Sequence, residues 1–447
     1  MATEKRNTPF IALQYRDFRL LWLGQLISQA GSAMQTLAVN WHISVLTNYD
    51  PLALGLVGLS RVVPIIVFSL IGGVVADASD RRKLMIVTQT AMAVFAALLG
   101  IITDAGMRTV WPIYVLNALA ASAWAFDNPA RQAMIPSLVN RAHLTNAMSL
   151  NQIMFQTATI VGPTIAGLII GSRSDGPDYN PHSISIIYWI NALSFLAVIV
   201  ALFLMRSTPV EMKRQAEAGA ARGRPKFMFG SVVEGLKFVH GQPIIWSTML
   251  LDFFATFFSS ANQLLPIFAE KILRVGATGF GILSAAPAIG ALLGGSVMSL
   301  LSRVRRPGAL ILYSVAVYGL ATLIFGISTS FWVSLIFLGL TGTADAVSTI
   351  LRATIRQLVT PDHIRGRMTS INMIFFMGGP QLGEVEAGLV AALIGAPLSV
   401  VTGGLGCLIA VAVIAWKVPM LRQYDEEDLR RAGERLASES LAVASGK

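Results

Sequence analysis

Apolar residues in this chain come in long runs separated by short polar stretches. A helix needs roughly 20 mostly apolar residues to cross the hydrocarbon of a bilayer. Twelve runs of that kind occur. In the first half they lie near Leu20–Leu46, Leu52–Ala76, Leu84–Asp104, Val110–Ala130, Asn146–Ile170 and Ser185–Met205. In the second half they lie near Ile244–Ala269, Thr278–Leu301, Gly308–Ile327, Phe331–Ile355, Thr369–Ile394 and Leu398–Trp416. The pattern predicts an all-α membrane protein with twelve transmembrane helices. Residues 1–205 are expected to form an N-terminal six-helix bundle and 243–417 a C-terminal one. A cytoplasmic linker, 206–242, joins them, and 418–447 is read as a cytoplasmic tail. In the linker, Phe229, Val232, Val233, Leu236 and Val239 recur at helical spacing. Either an amphipathic helix on the inner membrane surface or a short soluble helix packed on the bundle fits that spacing. Phe10–Arg19 is open to the same surface reading, and the charged, Ala/Ser-rich tail beyond Pro419 is expected to be partly disordered.

Charge orients the helices. Only 13% of residues are charged and 54% are hydrophobic, with a mean hydropathy of +0.64, whereas soluble domains carry about 25% charged residues. The formal net charge of +10 raises the question of a nucleic-acid partner, but the distribution of cations answers it. With the amino terminus inside, 29 of the 34 Lys and Arg residues fall on the inner side. Outer segments hold Arg108, Arg173, Lys271 and Arg274, and Arg61 sits within a helix. Such a bias sets topology, so no nucleic-acid partner is expected. Both termini are predicted to be cytoplasmic, in a cell membrane. Met1 to Arg19 is polar and basic without a cleavage-site pattern, so no signal peptide is expected. The single cysteine, Cys407, allows no intrachain disulfide. A nucleotide-binding glycine loop, a His-Glu-x-x-His pattern, a cysteine pair and a nucleophile elbow are all missing from the sequence. Neither an enzyme nor a bound cofactor or metal is expected.

The two halves repeat. A shift of 221 residues pairs Arg131 with Arg352, Ser149 with Ser370, Asn151 with Asn372, and Gly162, Ala166 and Gly167 with Gly383, Ala387 and Gly388. A shift of 223 pairs Gly58, Pro64, Gly72 and Arg82 with Gly281, Pro287, Gly295 and Arg305.

One loop carries a recognisable signature. Gly72-Gly73-Val74-Val75-Ala76-Asp77-Ala78-Ser79-Asp80-Arg81-Arg82-Lys83 closes one apolar run and precedes the next. It resembles the loop between the second and third helices of the major facilitator superfamily, with Gly73, Asp77, Arg81, Arg82 and Lys83 at the matching places. The second half lacks the acid, having Leu300 where the first has Asp77. Phe18-Arg19, the stretch Asn128-Pro129-Ala130-Arg131-Gln132-Ala133-Met134-Ile135-Pro136, and Leu144-Thr145-Asn146-Ala147 sharpen the likeness. They resemble the bacterial branch that includes the enterobactin exporter and macrolide-efflux proteins. This resemblance implies two parallel six-helix halves, alternating access, and export driven by the proton gradient, without naming a substrate. It also implies that Asp77 and Arg81 gather with Asp127 and Arg131 in an inner charge cluster that gates the transporter; an ordinary surface ion pair is the alternative. Gly162-Pro163-Thr164-Ile165-Ala166-Gly167 resembles the Gly-Pro motif of drug–proton antiporters in a shortened form, and plain close packing accounts for Gly162, Pro163 and Gly167 equally well.

Ionisable groups inside membrane helices are functional by default. Asp345 is near the middle of the tenth run, Glu384 and Glu386 near the middle of the eleventh, and Asp252 a third of the way into the seventh. Glu384 is the first candidate for proton coupling and Asp345 the second; a structural ion pair between Asp345 and Arg352, two turns on, is the alternative for the latter. Arg61 is read as meeting an anionic substrate or snorkelling outward. Gln25, Gln29 and Gln35 are compatible with lining a cavity in the first helix, and His42 with a packed histidine. The expected protein is a monomeric exporter of an amphipathic small molecule, drug- or siderophore-like, in contact with the lipid bilayer. An uncoupled uniporter or lipid transporter of the same fold, and a membrane sensor derived from a transporter, are the rival readings.

Overall fold

The computed structural model describes residues 10–172, 180–206, 237, 239–259, 262–301, 304–360, 362–425, 427–428, 431 and 434. Among the described residues the regular elements are helices, with no strand. Among these residues twelve helices have 16 or more residues. The first six are α1 (Arg16–Leu46), α2 (Pro51–Ala78), α3 (Arg81–Asp104), α4 (Trp111–Met134), α5 (Leu144–Gly171) and α6 (Pro181–Leu204). The second six are α7 (Pro243–Phe258), α8 (Gly276–Leu300), α9 (Pro307–Ile327), α10 (Phe331–Val359), α11 (Asp362–Ile394) and α12 (Ala396–Lys417). Local chemistry sets the starts. Asp50, Asp80 and Asn180 accept backbone N–H groups at the starts of α2, α3 and α6, and proline opens α2, α6, α7 and α9, where its missing N–H has no partner to lose.

Among the described residues, nine helical stretches are long and apolar enough to cross a membrane. Three long helices fall outside that set: α1, α4 and α11. Each carries polar or charged groups along its length: Gln25, Gln29 and Gln35; Asp127 and Arg131; Glu384 and Glu386. Large apolar side chains such as Leu193, Phe203 and Leu393 are 63%, 64% and 85% exposed, the surface of a protein whose solvent is lipid. It is a multi-pass membrane protein.

The seventh run differs from the expectation of one helix over Ile244–Ala269. α7 stops at Phe258, a 3-10 turn covers Asn262–Leu264, and a single α turn, Leu265–Ile267, leads into a π turn at Phe268–Ile272. Pro266 cannot donate to the ladder, and the polar residues Ser259, Ser260 and Asn262 ahead of it favour local turns over helix.

The chain divides into two compact units. The first comprises Met1–Arg224 together with Gly276–Ala285; the second comprises Pro225–Val275 and Ala286–Lys447. In the first unit α1 packs on α5 and α6, α3 on α4 and α6, and α2 on α4. In the second, α7 packs on α11 and α12, and α9 on α10 and α12. The remaining pair, α8 and α10, is joined by the Thr343 hydroxyl, which donates to the Gly290 carbonyl at 2.9 Å. A six-helix shift therefore maps one set of pairings onto the other, which is the structural form of the sequence repeat.

Two peripheral segments pack on the helices. Phe10–Arg19 is not a surface helix. Ile11–Gln14 forms a 3-10 turn with Ile11 and Ala12 buried, the Ala12 N–H donates to Asn146 Oδ1 at 3.0 Å, and the Tyr15 hydroxyl bonds His143 Nδ1 at 2.9 Å. Burial on the start of α5 satisfies groups that a membrane surface would leave to water. The tail is ordered at its beginning. Pro419–Gln423 is helical, Leu421 and Tyr424 are buried, and the Gly308 N–H donates to the Tyr424 carbonyl. A side chain at Gly308 would collide with the Leu421 carbonyl. The linker helix expected around Phe229–Leu236 lies outside the described residues; Val239 is buried in the core of the second unit.

Candidate transport site

The densest intramembrane charge lies in the second unit. Arg352, on α10, is 2% exposed. Its guanidinium forms a close ion pair with Asp252 of α7 and reaches Asp345 Oδ1, two turns back on α10, at 3.6 Å. It also donates to the Thr349 hydroxyl at 2.8 Å. Both carboxylates, when ionised, share one cation, so the trio then carries one net negative charge in a medium where an unpaired charge is costly. Exposure distinguishes them: the Asp252 side chain is 5% exposed and that of Asp345 48%. Tyr318, Thr256 and Ser348 complete a small cavity around the trio. The Arg352 Nε and the Ser348 hydroxyl, both buried, have no hydrogen-bond partner among the described residues.

The first unit carries a matched version in which an amide stands in place of the Asp252 carboxylate. Arg131, at the repeat position of Arg352, donates to Gln25 Oε1 of α1 at 2.8 Å and to Asn128 at 3.1 Å, and its Nε lies 3.9 Å from Asp127. Asp127 is 1% exposed. It accepts from the Thr88 hydroxyl at 2.9 Å and the Gln89 amide at 3.0 Å, both on α3. Each arginine thus reaches the first helix of its own half, to an amide in one and a carboxylate in the other.

The loop cations also reach helix ends. Arg81 donates to the Ala133 carbonyl at 3.1 Å and Arg82 to the Phe203 carbonyl at 3.3 Å, at the ends of α4 and α6, where unpaired carbonyls attract cations. Asp80 caps α3 across Arg82 and Lys83, and Lys83 is exposed. The Asp77 side chain and the surroundings of Gly73 lie outside the described part of the structure.

The eleventh helix is bound to the broken seventh. The Gln263 amide, in the 3-10 turn after α7, donates to Glu384 Oε2 at 2.9 Å. Glu386 is half-buried on the same helix. Arg61 is half-buried on α2 with no ion-pair partner among the described residues. Of the glutamines expected to line a cavity, Gln25 is taken by Arg131 and Gln35 by the Asn191 amide at 2.7 Å; Gln29 is half-buried. Gly162 lies against the Ala30–Met34 turn of α1, and Pro163 and Gly167 against the start of α8 within the first unit. His42 is buried and bonds Tyr188 at 3.1 Å. Sequence reasoning did not single out Thr88, Gln89, Tyr318 or Gln263. Neutral residues carry no charge signal, and a mid-helix polar residue near an acid was the only available clue.

Two six-helix units with charges held inside them are the frame of a major facilitator transporter, and comparison with known proteins agrees. A family profile described as transmembrane secretion effector matches residues 7–447. The chain belongs to that family. It is 24% identical over 412 residues to the enterobactin exporter EntS of Shigella boydii serotype 4, covering 91% of this chain and 93% of the relative. Among solved structures it resembles a bacterial homologue of the human lysosomal transporter Spinster, in an inward-facing and occupied conformation. The TM-score is 0.68 at 14% identity, over 91% of this chain and 98% of that one. The nucleoside transporter NupG gives a TM-score of 0.68 at 13% identity, over 92% and 100%. These structures share the fold. The secretion effector described here is therefore a secondary transporter of the major facilitator type, similar in sequence to an exporter.

Proposed function

We propose that this transporter exports an amphipathic small molecule in exchange for protons, and that Asp345 is the residue that carries the proton. The observation that supports it is the sharing of Arg352 between a buried Asp252 and a half-exposed Asp345. When Asp345 binds a proton, Arg352 and Asp252 remain as a neutral pair; when it releases the proton, the site regains a negative charge. Interconversion of two charge states is what a proton-coupled cycle needs. Asp345 takes precedence over Glu384, whose carboxylate is held by the Gln263 amide. Similarity to an enterobactin exporter supports the outward direction of transport and a substrate of siderophore-like amphipathic character.

Asp345→Asn mimics the protonated state permanently. In proteoliposomes, screened with a panel of amphipathic compounds, this variant should lose net accumulation driven by an imposed pH difference. It should retain exchange of substrate across the membrane at zero gradient, which requires no proton cycle. Accumulation at the wild-type level in Asp345→Asn would remove Asp345 from the mechanism. A wild-type protein indifferent to the pH difference would point to an uncoupled uniporter.

The loop charges support inward-facing termini. Arg108 and Arg305 are both exposed, and the native Cys407 is buried. A cysteine introduced at Arg108 should react with an impermeant maleimide added outside intact cells, and one at Arg305 only after the membrane is opened. Reversed labelling would invert the topology.

A further inference from the structure

A continuous run of aromatic rings follows α7. It starts at His240, just ahead of α7. His240 and Trp246 have centroids 5.7 Å apart, Trp246 and Phe375 of α11 5.7 Å, and Phe375 and Phe253 6.0 Å. Phe253 and Phe257 then stack nearly parallel, 12° apart at 5.9 Å, and Phe257 meets Phe258 at 5.1 Å. Phe257 is where α11 presents Gly383, beside Glu384. A Cβ on Gly379 would lie 3.0 Å from the Phe253 carbonyl, and one on Gly383 would collide with the Phe257 carbonyl. The two helices meet backbone to backbone here, so the rings flank the contact instead of filling it. Phe253, Phe257, Phe375 and Trp246 are all half-buried, leaving part of each ring uncovered.

Packing alone does not call for these rings. The repeat provides the comparison, because α1 and α5 make in the first unit the contact that α7 and α11 make in the second. The equivalent contacts, Gly162 on the Ala30 carbonyl and Gly383 on the Phe257 carbonyl, set Leu26 at Phe253 and Ala30 at Phe257, and the 221-residue shift sets Met154 at Phe375. From Leu23 to Asn40, α1 has no aromatic residue. The same helix contact stands in the first unit with Leu26, Ala30 and Met154 in place of Phe253, Phe257 and Phe375.

We propose that this ring run is a substrate track in the second unit and that it accepts planar aromatic amphiphiles, which stack on successive faces while their polar part turns away from the helices. The inference rests on the transport reading above and names the substrate class. Stacked ring pairs contribute beyond their area, in favourable cases enough to change affinity about 2- to 12-fold per ring.

The test is equilibrium binding to the detergent-solubilised full-length protein, with no pH gradient. The probes are ethidium, an aromatic cation, 1-anilinonaphthalene-8-sulfonate, an aromatic anion, and tetrabutylammonium, a cation without rings. Wild-type protein should bind at least one aromatic probe. Phe253→Leu and Phe257→Leu should each weaken that probe about 2- to 12-fold, Phe257→Tyr should restore it, and tetrabutylammonium affinity should stay constant. The proposal is overturned if wild-type protein binds neither aromatic probe, if the leucine variants bind aromatic probes as wild type does, or if aromatic and aliphatic probes weaken together. Coupling does not enter this measurement. Failure of the proton reading would appear instead as aromatic binding intact in a protein that ignores an imposed pH difference.

Discussion

Arg352→Met should destabilise the second unit by about 3–5 kcal/mol, because breaking a buried pair leaves a charge without its counter-ion. Asp252, 5% exposed on its side chain, would be that stranded charge. Adding Asp252→Asn to Arg352→Met removes it and should return much of the lost stability, since neutral replacement of a whole buried pair is often close to harmless. Arg352→Lys should fall between, because a single ammonium cannot serve Asp252, Asp345 and Thr349 from their separate directions. Thermal unfolding of the purified protein in detergent checks all three. Equal loss in Arg352→Met and in the double variant would show that Arg352 matters for its packing volume and not for its charge.

That site was partly legible in the sequence. Asp345 and Arg352 are seven residues apart, hence on one face of a helix, and both were visible as charges in an apolar run. Asp252 was visible too, but its attachment to Arg352 was not. Helical periodicity states which residues share a face, never which face of a helix 100 positions away it meets. The repeat came close: it matched Arg131 with Arg352, and the structure shows both reaching the first helix of their half. The break after Phe258 was hidden because a hydropathy window averages across it. Ser259, Asn262 and Pro266 signalled a turn that the surrounding phenylalanines and leucines outweighed. The packing of Phe10–Arg19 and of Pro419–Tyr424 was not legible for one shared reason. A short segment's composition shows that it has an apolar side, but not that a helix end nearby offers a place to bury it.

Gly281→Val should stop or strongly slow export while leaving the protein abundant in the membrane. A Cβ on Gly281 would lie 2.5 Å from the Pro163 carbonyl oxygen and 2.9 Å from the Gly167 Cα. Those are backbone atoms, which cannot rotate away as a flexible side chain does. The Thr278 hydroxyl contributes a long hydrogen bond to the Gly167 carbonyl at 3.4 Å, and Trp41 stacks on Phe280 at 5.8 Å, so the whole start of α8 would have to shift. Overpacking of this kind costs about 1–3 kcal/mol. If the contact forms in only part of the transport cycle, that cost shifts the balance of states about 5- to 150-fold. Gly295→Val is the matched control on the same helix, because a Cβ there meets nothing within 4 Å. Transport assays paired with quantitative membrane blots check the pair. Normal export by Gly281→Val would mean that α5 and the start of α8 are free to separate throughout the cycle.

The same ten residues impose a delay on biosynthesis. Gly276–Ala285 complete the first unit, yet Pro225–Val275 must leave the ribosome before them. At a translation rate of roughly 5–20 residues per second, Ala285 follows Arg224 by about 3–12 s. During that interval the face of α5 formed by Pro163, Gly167 and Gly171 has been made but its partner has not. A strip of small residues with little side chain to shield its backbone then waits in the bilayer until α8 arrives.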